Sequence, residues 1–329
     1  MPRLTVVGAG SWGSTVASLA ADSADTVLWA RRPALVDEIE RSRTNTAYLP
    51  GFTLPAALHA TADLAAAVGD ADVVLMAVPS QGFREIAAAA APHLRPGVPV
   101  VSLAKGLELG TQMRMTEVIA AELPGHPAGV LTGPNLASEI LAGQPAASVV
   151  ACSDAAVASE LQALLTRPTL RIYTNPDVVG CELGGVVKNV IAIAAGMCDG
   201  MGFGDNSKAT VITRGLAEMA RLGVAMGANP LTFGGLAGLG DLVATCASGR
   251  SRNTSVGRAL GEGRSIGDIV DAMNMVAEGV KSSPSVLALA NRHGVEMPIV
   301  EQVAAVCAGT TDARTALARL MTRASRPEI

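Results

Sequence analysis

Short apolar runs recur along the first half of the chain at residues 4–7, 26–29, 72–77, 98–102, 129–131 and 147–151. Alanine-rich stretches with helical spacing separate them at 13–21, 32–41, 81–91 and 116–122. Continuous apolar runs suit strands buried on both faces, and their alternation with helices predicts βαβ units and a parallel sheet. Near Asn175-Pro176 the pattern changes: long segments of helical periodicity follow at 176–198, 206–227, 265–274, 279–293 and 299–308. The chain is therefore expected to be α/β, with a parallel sheet in residues 1–175 and an all-α domain in 176–329. No repeat or low-complexity linker interrupts it. The boundary is expected to be a helix docked on both halves, with the active site in the cleft.

The first strand-to-helix transition carries chemistry. Leu4-Thr5-Val6-Val7 runs into Gly8-Ala9-Gly10-Ser11-Trp12-Gly13 and then into a helix. In that context Gly8 permits a tight turn, Gly10 lets a pyrophosphate approach the backbone, and Gly13 lets helix and strand pack closely. The helix N-terminus offers N–H groups to the anion. A Rossmann-type dinucleotide domain follows. The second strand ends at Ala30-Arg31-Arg32 with no carboxylate for a ribose hydroxyl, and paired guanidiniums suit a 2′-phosphate, so the reading leans to NADPH over NADH. The bland alternative makes Arg31 and Arg32 solvated charges opening the next helix.

Open α/β sheets bind ligands beyond the carboxyl ends of their strands. Ala77-Val78-Pro79-Ser80 there is either a plain β-to-α connection or a neighbour of the nicotinamide. Lys105, beside Gly106, is a candidate contact for an anionic substrate or cofactor, and Leu131-Thr132-Gly133-Pro134-Asn135-Leu136-Ala137 is a third such loop. In the helical half Lys188 and Asn189 interrupt a run otherwise suited to complete burial. Desolvation draws a lysine's pKa down toward neutrality, as proton transfer at about pH 7 requires; the alternative is a lysine that snorkels or pairs with Glu182 or Asp205. Asp241, after a glycine-rich turn, alone would read as a helix cap. Ser248-Gly249-Arg250-Ser251-Arg252-Asn253-Thr254 has the composition of a phosphate loop.

Composition narrows the classes. The 329 residues are 49% hydrophobic, 2% aromatic and carry a net charge of -4. That allows a large core but offers neither a basic surface nor stacking platforms for nucleic acid. Apolar stretches such as Ala71 to Pro79 and Val190 to Met197 fall short of a membrane span, and the glycine-rich start lacks a secretory layout, so a cytoplasmic location is expected. Five cysteines without a Cys-x-x-Cys pair and four scattered histidines indicate neither disulfides nor a metal site.

Together these segments resemble the bacterial-type NAD(P)-dependent glycerol-3-phosphate dehydrogenases. The resemblance runs from Gly8–Gly13 through Asn45-Thr46-Ala47-Tyr48-Leu49-Pro50, Lys105-Gly106-Leu107-Glu108, Gly184-Gly185-Val186-Val187-Lys188-Asn189-Val190 and Gly204-Asp205-Asn206-Ser207-Lys208. It continues through Gly238-Leu239-Gly240-Asp241-Leu242, Ser251-Arg252-Asn253 and Val276-Ala277-Glu278-Gly279. It implies a cytosolic enzyme interconverting dihydroxyacetone phosphate and sn-glycerol 3-phosphate for phospholipid synthesis. By the same resemblance Lys188 is the catalytic lysine and Asp241 its substrate-side partner. Ser251, Arg252 and Asn253 hold the substrate. Ser11, Trp12, Arg31, Arg32, Lys105, Ala137, Arg252, Val276 and Glu278 fall at cofactor positions, with Lys105 shared with substrate. The family usually has Ser or Thr after Gly-Pro and then Phe, whereas this chain has Asn135 and Leu136. An amide still donates and accepts, so Gly133 and Asn135 remain substrate candidates. The apolar helices of the second half are compatible with a homodimer. Two rival readings are a β-hydroxyacid dehydrogenase and a non-catalytic NADPH sensor.

Overall fold

The computed structural model of the chain describes residues 1–249, 251–273 and 277–324. They divide into two compact units, Met1–Glu108 with Met113–Glu182, and Leu109–Gln112 with Leu183 onward.

The first unit holds eight strands: β1 (Arg3–Val7), β2 (Asp25–Trp29), β3 (His59–Thr61), β4 (Val73–Met76), β5 (Val100–Ser102), β6 (Ala128–Thr132), β7 (Ala146–Cys152) and β8 (Leu170–Asn175). They form one sheet in the order β3-β2-β1-β4-β5-β6-β7-β8. The central register sets Val6 beside Leu28 on one side and Leu75 on the other. Helices α1 (Ser11–Ala20), α2 (Pro33–Ser42), α3 (Leu64–Gly69), α4 (Phe83–Ala90), α5 (Met115–Glu122), α6 (Ala137–Leu141) and α7 (Ala155–Leu165) connect them. Successive strand residues point to opposite faces, which explains the unbroken apolar runs. Leu4, Val6, Val73 and Leu75 pack with Val16 of α1, Ile39 of α2 and Leu161 of α7. Val7, Val74 and Met76 pack with Val68 of α3, Phe83 of α4 and Ile119 of α5. The strand order reverses between β1 and β4, which puts a ligand crevice at the carboxyl end of β1.

The sheet departs from the sequence expectation in three places. β3, a three-residue edge strand, and β8, whose residues alternate between buried and exposed, carry no continuous apolar run. β7 pairs antiparallel with β6, although every other neighbouring pair is parallel. A continuous apolar run reports burial and not the direction of the strand, so β7 reads the same in either sense.

The second unit takes the long helix α8 (Val178–Gly200) from Leu183 on, followed by α9 (Asp205–Ala225), α10 (Asp241–Ala247), α11 (Arg252–Gly261), α12 (Ile266–Asp271), α13 (Glu278–Arg292), α14 (Pro298–Cys307) and α15 (Ala313–Met321). By length and composition α8 is apolar enough to cross a membrane, but 83% of its most apolar window is buried inside the protein. It is a core helix. Small residues let α8 and α11 meet backbone to backbone: a Cβ on Gly196 would fall 2.2 Å from the Thr254 carbonyl oxygen, and one on Gly257 2.1 Å from that of Ile193. That close approach aligns the polar residues of the two helices.

Candidate active site

The first unit presents the glycine turn. Gly8 adopts φ +121°, and a Cβ there would lie 2.7 Å from the Ala77 carbonyl oxygen at the end of β4. A Cβ on Gly13 would lie 2.0 Å from the Gly8 oxygen, so helix and turn touch as the motif requires. Gly10 faces open space, with nothing within 4 Å of its Cβ position. It is also the N-cap of α1 without a side-chain cap, so the first N–H groups of that helix receive no bond from it. The buried Trp12 indole nitrogen has no hydrogen-bond partner among the described residues. An uncapped helix start behind an open glycine, with an unsatisfied buried donor beside it, fits a dinucleotide pyrophosphate.

Arg31 and Arg32 are exposed where β2 leads into α2, and Arg32 is the N-cap of that helix. The Ser11 hydroxyl donates to the Tyr48 carbonyl at 2.9 Å, so its side chain braces the turn. At the ends of β5 and β6, Lys105 Nζ donates to the Gly133 carbonyl at 2.9 Å. The Ser148 hydroxyl donates to Asn135 Oδ1, while the buried Asn135 amide nitrogen and Thr132 hydroxyl have no hydrogen-bond partner among the described residues. Ala137 opens α6 and packs on the core. The structure thus brings Lys105, Gly133 and Asn135 together at the ends of β5 and β6.

In the second unit Lys188 lies mid-helix on α8 and is 6% exposed, and Asp241, at the start of α10, is 1% exposed. Lys188 Nζ donates to Asp241 Oδ1 at 2.5 Å and to Thr245 Oγ1 at 2.7 Å. Thr245 in turn donates to the Asp241 carbonyl at 2.7 Å, which turns its acceptor lone pairs to the lysine. Desolvation alone disfavours an ammonium here, and the Asp241 carboxylate supplies the opposing charge. The alternative of pairing with Glu182 is not adopted: Glu182 accepts from Arg114 at 2.7 Å and from the Thr116 backbone at 2.9 Å.

Next to Lys188, the Asn189 side-chain oxygen accepts from Asn253 Nδ2 at 2.9 Å, and Asn253 Oδ1 accepts from the Gly279 backbone at 2.9 Å. This buried amide chain ties α8, α11 and α13 together around the lysine. Ser251 caps α11, accepting from Thr254 N at 3.3 Å. Arg252 is exposed, and its charge together with that of Lys281 partly offsets the burial that raises the Glu278 carboxyl above its ordinary range. One Glu278 oxygen is buried without a hydrogen-bond partner among the described residues. Val276 and Arg250 lie outside the described residues. The free cysteines are packing residues: burial pushes the Cys246 thiol, on the helix of Asp241, up to about 12.

Two contributors were not singled out as site residues by sequence reasoning. Thr245 is one helical turn after Asp241, and that i,i+4 spacing was its only signal. Asn189 was visible only as the second polar residue in the apolar run.

Residues 3–158 match the family described as NAD-dependent glycerol-3-phosphate dehydrogenase N-terminus, and residues 177–318 match its C-terminus. The chain is 57% identical over 307 residues to glycerol-3-phosphate dehydrogenase [NAD(P)+] 2 of Sphingopyxis alaskensis, covering 93% of this chain and 92% of that one. It is 54% identical to glycerol-3-phosphate dehydrogenase [NAD(P)+] of Streptomyces coelicolor, covering 99% and 98%. The crystal structure of glycerol-3-phosphate dehydrogenase from Coxiella burnetii superposes with a TM-score of 0.93 at 37% identity, covering 98% and 99%. With both halves matched and the dinucleotide turn and buried lysine in place, the chain belongs to the NAD(P)-dependent glycerol-3-phosphate dehydrogenases, a family of oxidoreductases.

Proposed function

We propose that the protein interconverts dihydroxyacetone phosphate and sn-glycerol 3-phosphate in the cytoplasm, with NADPH as the preferred cofactor, and so supplies glycerophospholipid synthesis. Residues 1–175 serve the cofactor, and residues 176–329 serve the substrate and its proton. The observation that carries this reading is the buried Lys188–Asp241 pair, 2.5 Å apart, in a chain that also holds an open glycine turn. When bound, the dihydronicotinamide supplies a hydride for the C2 carbonyl.

Lys188 handles the oxygen of that carbonyl. Its ammonium stabilises the developing alkoxide and passes it a proton, and in the reverse direction the amine takes the proton back. Asp241 favours the charged form, and Thr245 fixes the direction of Nζ. Arg252 and Ser251 take the substrate phosphate, which contributes binding energy remote from the reacting carbon and holds the ketone in an attack geometry. Asn253, already bonded to Asn189 and Gly279, acts by positioning α11. Lys105 and the Asn135 amide offer donors to substrate or cofactor. The reading includes a homodimer, which sedimentation would detect and a monomer would refute.

The direct test follows NADPH oxidation at about 340 nm with dihydroxyacetone phosphate, beside NADH and beside unphosphorylated dihydroxyacetone. The reading expects turnover that requires the phosphate and is faster with NADPH. Folded, NADPH-binding protein without turnover on the phosphorylated ketone would overturn it.

A further inference from the structure

The segment Asn45-Thr46-Ala47-Tyr48-Leu49-Pro50 belongs to no strand or helix and takes no part in the chemistry above, yet it is held from several sides. Asn45 is fully buried, and its amide nitrogen donates to the Ala9 carbonyl at 3.0 Å and to the Ser14 hydroxyl at 2.9 Å, both in or beside the glycine turn. Its backbone oxygen accepts from Leu49 N at 2.7 Å and from Tyr48 N at 3.2 Å, closing a tight turn. On the other flank the Glu38 carboxylate of α2 accepts from Thr46 N at 2.7 Å and from the Thr44 hydroxyl at 3.1 Å. Ser11, the first residue of α1, bonds the Tyr48 carbonyl. Tyr48 is thereby fixed both to the helix that faces the pyrophosphate and to the helix that Arg32 caps.

The ring so held lies under a guanidinium: the Arg32 Cζ sits 5.6 Å from the centroid of the Tyr48 ring. Tyr48 itself is half-buried against the core, whereas Arg32 is exposed. An exposed arginine otherwise samples many rotamers and loses that freedom when it binds an anion. A guanidinium drawn to an aromatic face has less of that freedom to lose and keeps N–H donors for a phosphate.

We propose that Tyr48 is a positioning residue for cofactor choice, its ring holding Arg32 in the pose that receives the 2′-phosphate of NADPH. The inference rests on the reading of Arg31 and Arg32 as 2′-phosphate ligands and deepens it. Tyr48 acts through Arg32, and the Asn45 bonds set the ring in register with the glycine turn.

Calorimetric titration of the protein with adenosine 2′,5′-bisphosphate and, separately, with AMP tests this without turnover. Tyr48→Leu keeps the apolar packing and removes the ring. It is expected to weaken the bisphosphate about fivefold and AMP less than about twofold. Tyr48→Phe restores wild-type binding of both. In an Arg32→Ala background, Tyr48→Leu has no further effect on the bisphosphate. Equal weakening of both ligands by Tyr48→Leu, or the same loss with Arg32 absent, would make the ring merely structural and overturn the proposal. A wild-type preference for the bisphosphate that Tyr48→Leu leaves undiminished defeats the proposal alone. No preference in the wild type defeats the reading of the arginine pair as well. Tyr48→Met replaces Tyr48→Leu if thermal unfolding shows that the latter has lost its fold.

Discussion

Gly10 and Gly13 belong to the same motif, but their surroundings separate ligand contact from packing. A methyl group on Gly13 would collide with backbone, and backbone cannot give way cheaply. A methyl on Gly10 meets nothing, and its φ of -73° suits any residue. Gly10→Ala is therefore expected to leave the melting temperature nearly unchanged, within about 0.5 kcal/mol of stability, and to weaken NADPH binding. Gly13→Ala is expected to lose both. Thermal unfolding beside a binding titration checks the contrast, and a Gly10→Ala protein with intact affinity would remove the pyrophosphate from this turn. Such residues were legible because glycine has few reasons to recur at that spacing after a buried strand. Lys188 was legible because a charge is costly in an apolar helix. Thr245 was not, since a threonine in a helix is ordinary until a lysine from a distant segment is seen to bond it.

At the scale of elements, the strands and helices that bury a continuous face were readable, while β3 and β8, which bury little or alternate, were not. Apart from Asp241 for Lys188, which the resemblance supplied, tertiary partners were hidden, and Glu218 of α9 is the clearest case. It is 3% exposed and accepts from Ile299 N at 2.8 Å and Val300 N at 3.2 Å, satisfying the first turn of α14. Burial nevertheless dominates and pushes its carboxyl up to about 7. A folded pKa above the unfolded value of about 4.5 means that its contribution is fully present below that value and is lost as pH rises through about 7. The loss is on the order of 3 kcal/mol. Denaturant unfolding of wild type and Glu218→Gln between pH 5 and 8 should give a wild-type stability that falls relative to the variant. Parallel curves would refute a buried, titrating Glu218.

At the scale of the molecule, the two compact units divide the proposed labour: cofactor recognition by groups around the glycine turn, proton handling by groups around Lys188. The general α/β plan followed from periodicity, and the mostly parallel sheet with a helical second unit agrees with it. The antiparallel β6–β7 pair did not follow, because an apolar run carries no direction. Removing one partner of a buried ion pair costs about 3–5 kcal/mol, so the lysine is best replaced together with its aspartate as well as alone. The most direct measurement is thus the turnover number of Lys188→Met, and of Lys188→Met with Asp241→Leu, on dihydroxyacetone phosphate, with NADPH affinity measured on the same preparations. The account predicts a loss in kcat of roughly a hundred- to ten-thousand-fold in both proteins, recovered stability in the double variant, and NADPH affinity close to wild type. A folded Lys188→Met enzyme that binds NADPH and turns over at the wild-type rate would contradict it.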